Sequence, residues 1–222
     1  MEDFSNIINW DNVFEKSKTF KNNKPMKFGF VEEFFDRNFY EKLYGTYPKE
    51  NDGAWYRITN DFSRSAMRRN FGKTRPNDPI DNEDDPLLSE EWNKFKRYMT
   101  TTEFANNISK YTGIKVTGLQ HYVFINLHKG DFNLPHNHFL ESQGDIPNAY
   151  KLTMLIYFTK NWQKGDPGGT YMCTKEDESS IIFEPYNLDN MMICFAESPH
   201  SWHGSRYIVK DVVRQSIQLT MK

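Results

Sequence analysis

All six histidines of this 222-residue chain lie between His121 and His203. His136 and His138 flank Asn137. On an extended segment, residues i and i+2 project to the same side, so both imidazoles can approach one ion. His200 and His203 lie far along the chain. Either one returning to the His136–His138 pair would complete a set of nitrogen donors suited to a transition metal. A histidine on its own is more often a hydrogen-bonded core or surface residue; a pair with a returning third points to a metal. A second constellation is Arg214-Gln215-Ser216, set in an otherwise apolar stretch with Val212, Val213, Ile217 and Leu219. Arg214 and Ser216 share a face. A guanidinium offers a planar fork of donors that matches a carboxylate, and serine adds a hydroxyl. An arginine turned inward is costly unless paired. The competing reading, with Gln215 and Gln218 beside it, is an arginine facing solvent.

The elements that must carry these groups fall into two textures. After Gly113, short runs rich in Val, Ile, Phe, Tyr and Thr alternate with the turn clusters HKGD, QKGDPGG, PYNLDN and ESPHS. Strands are expected at residues 115–127, 151–159, 170–174, 180–184, 191–196 and 212–220. Before Gly113 the pattern is helical. A short helix is expected at residues 10–16, and a strand at 27–35 leads into a helix at 36–47 that stops at Pro48. Further helices are expected at 86–98 and 102–111, with Ser89 well placed as a cap ahead of Glu90 and Glu91. Residues 54–89 read as a loop carrying Arg64, Arg68, Arg69 and Arg75, followed by an acidic stretch. Helices first and strands afterwards imply a mainly β fold with flanking helices. One domain over residues 1–222 is expected, with a helix-rich part, 1–112, packed against a β-barrel or sandwich, 113–222.

Composition narrows the function classes. The chain is 37% hydrophobic and 16% aromatic, so its core is built on rings. Its net charge of −2 gives no global cationic field, and no nucleic-acid partner is expected. No apolar run approaches the ~18 residues of a membrane span, and the opening residues do not read as a secretory signal. Cys173 and Cys194 read as reduced thiols, which fits a cytoplasmic protein.

The stretches KGDFNLPHNH, KLTMLIYFTKNWQKGDPGGTYM and ESPHSWHG, followed by RQSIQL, occur in an order that resembles the prolyl-4-hydroxylase-like branch of the Fe(II)- and 2-oxoglutarate-dependent oxygenases. The likeness covers roughly residues 113–221. More loosely, KFGFVEEFFDRNFYEKLYGTYP resembles that family's opening strand and helix. The resemblance implies a double-stranded β-helix, or jelly-roll, packed against N-terminal helices. It implies Fe(II) and 2-oxoglutarate as cofactors. His136 matches the first metal ligand and His203 the distal one, with His200 a weaker rival. Arg214 and Ser216 match the clamp on the remote carboxylate of 2-oxoglutarate. Tyr157 matches a tyrosine that reaches the same carboxylate in some members, and Gly168 and Gly169 match a structural turn.

One position departs from the family. Where its pattern has aspartate, this chain has His138. Three readings follow: His138 is itself a ligand; water or a nearby carboxylate (Glu141, Asp145 or Asp131) fills the place; or the site is degenerate. The activity implied is hydroxylation of a prolyl, peptidyl or small-molecule substrate with release of succinate and carbon dioxide. The alternatives are a non-catalytic metal-binding jelly-roll and a three-histidine dioxygenase that does not use 2-oxoglutarate. The arginine-bearing segment, with Phe62 and Phe71, is a candidate lid or else a solvated loop. Thr153 and Leu155 share a strand face with Tyr157 and are candidate pocket residues, with a core role the preferred reading for Leu155.

Overall fold

The molecule is described by a computed structural model over residues 2–60, 63–70, 83–141 and 151–222. Among the described residues, eight strands follow Gly113: β4 (Leu119–Leu127), β5 (Phe132–His136), β6 (Leu152–Phe158), β7 (Tyr171–Cys173), β8 (Ile181–Phe183), β9 (Asp189–Ala196), β10 (Trp202–Ser205) and β11 (Arg214–Met221). Three more precede it: β1 (Phe28–Glu32), β2 (Trp55–Asn60) and β3 (Arg64–Asn70). Every pairing is antiparallel. The strands form one continuous sheet in the order β1-β9-β6-β11-β4-β3-β5-β10-β7-β8, with β2 paired to β3; its run from β1 to β3 is the large sheet below and its run from β5 to β8 the small one. Strand β3 pairs with both β4 and β5, which curls the two into a half-barrel. This is the jelly-roll arrangement expected from the sequence.

The large sheet is covered on both faces, which explains why β6 is buried along its whole length. Alternate residues serve opposite layers. Tyr122, Phe124, Met154, Ile156, Phe158, Met192, Ile217 and Leu219 face the helices. Val123, Ile125, Leu127, Leu155, Tyr157, Met191, Ile193 and Phe195 face the interior of the roll. The helical layer comprises α1 (Trp10–Glu15), α2 (Ser17–Asn22), α3 (Arg37–Gly45), α4 (Glu90–Met99) and α5 (Thr102–Thr112). Trp92 of α4 anchors it, with ring centroids 4.8 Å from Phe124 and 5.1 Å from Phe158. Ser89 caps α4 as its sequence suggested, although the helix starts at Glu90 and not at Pro86. Among the described residues, no helix is long and apolar enough to cross a membrane. Cys173 and Cys194 are free and buried.

One expectation fails clearly. Much of the segment read as a loop is the β2–β3 hairpin. Its arginines hid the strand pattern, since charged residues are depleted in strands that have no site to line. Arg69 points toward the helices and is fully buried between Asp52 at 2.7 Å and Asp85 at 3.0 Å. Arg64 and Arg68 point the other way and line the pocket inside the roll. Arg75, Phe62 and Phe71 lie outside the described residues.

Candidate metal centre

The two strands that carry His136 and His203 are β5 and β10, and neither was expected as a separate strand. They pair so that His203 stands opposite His136. Strand β10 is squeezed between β5 and β7. Gly204 is what permits this: a Cβ there would lie 2.5 Å from the Asn133 carbonyl oxygen and 2.4 Å from the Tyr171 hydroxyl. The glycine of the SWHG motif therefore keeps His203 in register.

His138 reaches the site differently from the way strand alternation suggested. The strand ends at His136, and His138 opens a four-residue helix, α6 (His138–Glu141). The Asn137 side chain accepts hydrogen bonds from the Phe139 and Leu140 amides at 3.0 and 3.2 Å, which turns the chain there. The turn folds His138 back over its neighbour, leaving 3.2 Å between the two Nε2 atoms. Potential ligand atoms of His136, His138 and His203 all lie within 4.8 Å of one another.

The other ring nitrogens settle the tautomers. His136 Nδ1 lies 2.9 Å from the Leu134 carbonyl, and His203 Nδ1 lies 2.8 Å from the Ser201 carbonyl. A carbonyl only accepts, so both Nδ1 atoms carry the proton and both Nε2 lone pairs are free for a metal. His138 Nδ1 lies 3.1 Å from Glu197 Oε1, which gives the same tautomer. Burial holds His136 neutral far below the usual histidine range, with the neighbouring imidazoles adding to the effect. It pulls His203 down to about 3. Three rings with converging Nε2 atoms form a competent nitrogen donor set for a transition metal.

Sequence reasoning missed Glu197, although it opens the ESPHSWHG motif. The carboxylates proposed from the sequence do not take its place. Asp131 is buried and bound to Arg57, Ser65 and the His128 amide. Glu141 lies at the exposed rim of the pocket, outside the histidine cluster. Asp145 lies outside the described residues. His200 is exposed and does not join the cluster, so the distal position belongs to His203.

A pocket of about 340 Å³ opens from the histidines into the roll, and Arg214 lines it too. Arg214 is 2% exposed, so the solvent-facing reading is excluded. Its Nη1 donates to the Gly168 carbonyl at 3.2 Å, and Nη2 approaches Ser216 Oγ at 3.3 Å. Among the described residues, its Nε has no hydrogen-bond partner. Burial draws its pKa below the ordinary arginine value, and among the described residues no carboxylate forms an ion pair with it. Gly168 presents its carbonyl from a left-handed conformation, φ 121°. Tyr157 lies under the guanidinium, but its hydroxyl donates to Thr170 Oγ1 at 2.5 Å and accepts from the Thr170 amide at 2.9 Å. Behind Ser216, the Tyr47 hydroxyl donates to the Ser216 carbonyl at 2.9 Å and ties this end of β11 to the helical layer. Thr153 and Leu155 line the pocket as their strand face suggested.

The residues fit both groups that the sequence resemblance implied. An orphaned donor on a buried, unpaired guanidinium calls for an anion, and the nitrogen donor set calls for a metal.

No family model matches the sequence. No curated protein matches it either. Solved structures do. A prolyl-4-hydroxylase from Pseudomonas putida matches with a TM-score of 0.68 and 12% identity, over 93% of this chain and 97% of that one. A prolyl hydroxylase from Trichoplax adhaerens, in complex with a hypoxia inducible factor oxygen degradation domain peptide fragment, matches with a TM-score of 0.60 and 14% identity, over 96% and 88%. SnoN, a non-heme α-ketoglutarate-dependent epimerase from nogalamycin biosynthesis, matches with a TM-score of 0.62 and 10% identity, over 96% and 82%. The resemblance drawn from the motifs therefore holds at the level of the fold, the jelly-roll of the 2-oxoglutarate–Fe(II) oxygenases. Hydroxylases and an epimerase share it, so the fold alone does not name the reaction.

Proposed function

We propose that this chain is an Fe(II)- and 2-oxoglutarate-dependent oxygenase that hydroxylates a peptidyl or small-molecule substrate. His136, His138 and His203 would hold the iron, and Arg214 with Ser216 would hold the remote carboxylate of 2-oxoglutarate. When bound, the two supply dioxygen activation coupled to decarboxylation of 2-oxoglutarate to succinate and carbon dioxide. The chain's own residues bind, orient and exclude water. The ring of Tyr157 fixes the plane of the Arg214 guanidinium, 5.2 Å above it. Ile125, Leu127, Leu155 and Phe132 give the pocket apolar walls, which strengthen the charge pairing at its end.

The observation that carries this reading is Arg214: buried, without an ion pair among the described residues, and opening into the same pocket as three convergent imidazoles. His138 in the place of aspartate favours a second reading, a three-histidine metalloprotein that does not use 2-oxoglutarate. That reading leaves the buried guanidinium without a purpose. A peptide partner is supported by the Trichoplax complex, whose fold this chain shares. A cytoplasmic setting, with both thiols reduced, belongs to the same proposal.

The test is succinate formation by the purified, iron-loaded protein supplied with 2-oxoglutarate and dioxygen. Slow turnover is expected even without the second substrate. Iron-loaded protein that neither binds nor consumes 2-oxoglutarate would overturn the assignment in favour of the second reading.

A further inference from the structure

We propose that Glu197 supplies, through His138, the negative charge that a carboxylate ligand would otherwise bring to the metal. The inference rests on the three-histidine ligand set and is independent of 2-oxoglutarate use.

Glu197 follows the last residue of β9, and its side chain is 4% exposed. Its amide donates to the Lys151 carbonyl at 3.0 Å, which fixes the backbone beside β6. Oε1 accepts from Thr153 Oγ1 at 2.6 Å and from His138 Nδ1 at 3.1 Å, and Oε2 lies 3.3 Å from Ser201 Oγ. Among the described residues, no lysine or arginine pairs with it; its contacts are the Thr153 and Ser201 hydroxyls and the His138 ring. A buried carboxylate without a cation is costly. A dication on the far side of the His138 ring would relieve that cost.

The three imidazoles are therefore not equivalent. His136 and His203 donate to neutral carbonyls. His138 donates to a carboxylate, which makes its Nε2 a stronger donor and fixes the ring's direction. His138 comes from the segment after β5, whereas Thr153 lies on β6 and Glu197 directly follows β9 in the large sheet. The hydrogen bond thus aims a ligand from one wall of the roll by means of the other. One anion balances the site, as it would with aspartate, but it stands one ring further out. On this account Glu197 is a positioning residue, and the site with histidine at 138 is not degenerate.

The test is a Co(II) titration of four proteins, wild type, Glu197→Gln, His138→Asp and the double variant, followed by visible absorption. Glutamine keeps the shape and the acceptor oxygen but loses the charge. Glu197→Gln should weaken cobalt binding about 10–100-fold in the wild-type background. In the His138→Asp background, where the ligand carries its own charge, the same change should have little effect. Thermal melts of the metal-free proteins check the fold. Should His138→Asp fail to fold, proton NMR of the cobalt protein provides the second readout. Glu197→Gln should move one exchangeable imidazole N–H resonance and leave the other two. Equal affinity for wild type and Glu197→Gln, an equal loss in both backgrounds, or unmoved resonances would overturn the inference alone. Wild-type protein that takes up no cobalt would overturn the ligand set itself.

Discussion

The Arg214 guanidinium sits 5.2 Å above the Tyr157 ring, while the Tyr157 hydroxyl is turned away to Thr170. The cation rests over a ring face, and among the described residues no carboxylate forms an ion pair with it. That leaves it preorganised for an incoming carboxylate. Truncating one partner of a buried, hydrogen-bonded charge pair costs roughly 2–5 kcal/mol. Arg214→Ala should therefore weaken 2-oxoglutarate binding about 30-fold or more, with metal affinity nearly unchanged. Calorimetric titrations of metal and of 2-oxoglutarate separate the two. An unchanged 2-oxoglutarate isotherm would place Arg214 outside the site.

Tyr157→Phe separates the ring from the hydroxyl. The ring remains under Arg214, so 2-oxoglutarate affinity should stay within a few-fold of wild type. The Thr170 amide loses its acceptor, and leaving a buried donor unsatisfied costs about 1–3 kcal/mol. The variant should melt lower but bind normally. A large loss of 2-oxoglutarate affinity would mean that the hydroxyl itself contacts the ligand.

Acid should destabilise the metal-free protein earlier than carboxylate protonation would. Burial lowers His203 to about 3 and His121 to about 4, and holds His136 well below its ordinary value. In the unfolded chain these groups take up protons near pH 6.5. The unfolded state then binds more protons than the native one, so stability is full above about pH 6.5 and is lost as pH falls toward the folded values. Each histidine should account for about 2 kcal/mol of lost stability at pH 5. Urea denaturation at pH 7 and pH 5 measures this. Equal midpoints would contradict neutral burial of His121, His136 and His203.

Gly204→Ala should damage the centre without touching a ligand. The new methyl meets the Asn133 carbonyl oxygen, a backbone atom of β5, so the strands must separate. Overpacking of this kind costs about 1–3 kcal/mol. Because His203 and His136 face each other across that pair of strands, metal affinity should fall together with the melting temperature. A variant with a lowered melting temperature and full metal affinity would show that the ligands tolerate a shift in register.

The ring-rich strands and their turns were legible in sequence because alternation and turn chemistry are local. The runs around Leu155, Ile193 and Ile217 stood out for that reason. Strands β5 and β10 were not, because each is short and carries the polar residues that the site requires. The hairpin bearing Arg64, Arg68 and Arg69 was hidden in the same way, by charges whose partners, Asp52 and Asp85 for Arg69, are supplied by the fold. His136, His203, Arg214 and Ser216 were found through ordered motifs. The route of His138 into the site depended on the Asn137 turn, which spacing alone does not reveal. Glu197 lay in plain sequence view six places before His203, but nothing local says that a carboxylate after β9 will meet an imidazole from beyond β5.

The central claim is that one pocket holds both iron and 2-oxoglutarate. It is tested most directly by anaerobic titration of 2-oxoglutarate into the Fe(II)-loaded protein, read by visible absorption. The account predicts a metal-to-ligand charge-transfer band that saturates with 2-oxoglutarate and that needs far higher concentrations in Arg214→Ala. Iron-loaded protein that develops no band at saturating 2-oxoglutarate, or an Arg214→Ala titration identical to wild type, would contradict it.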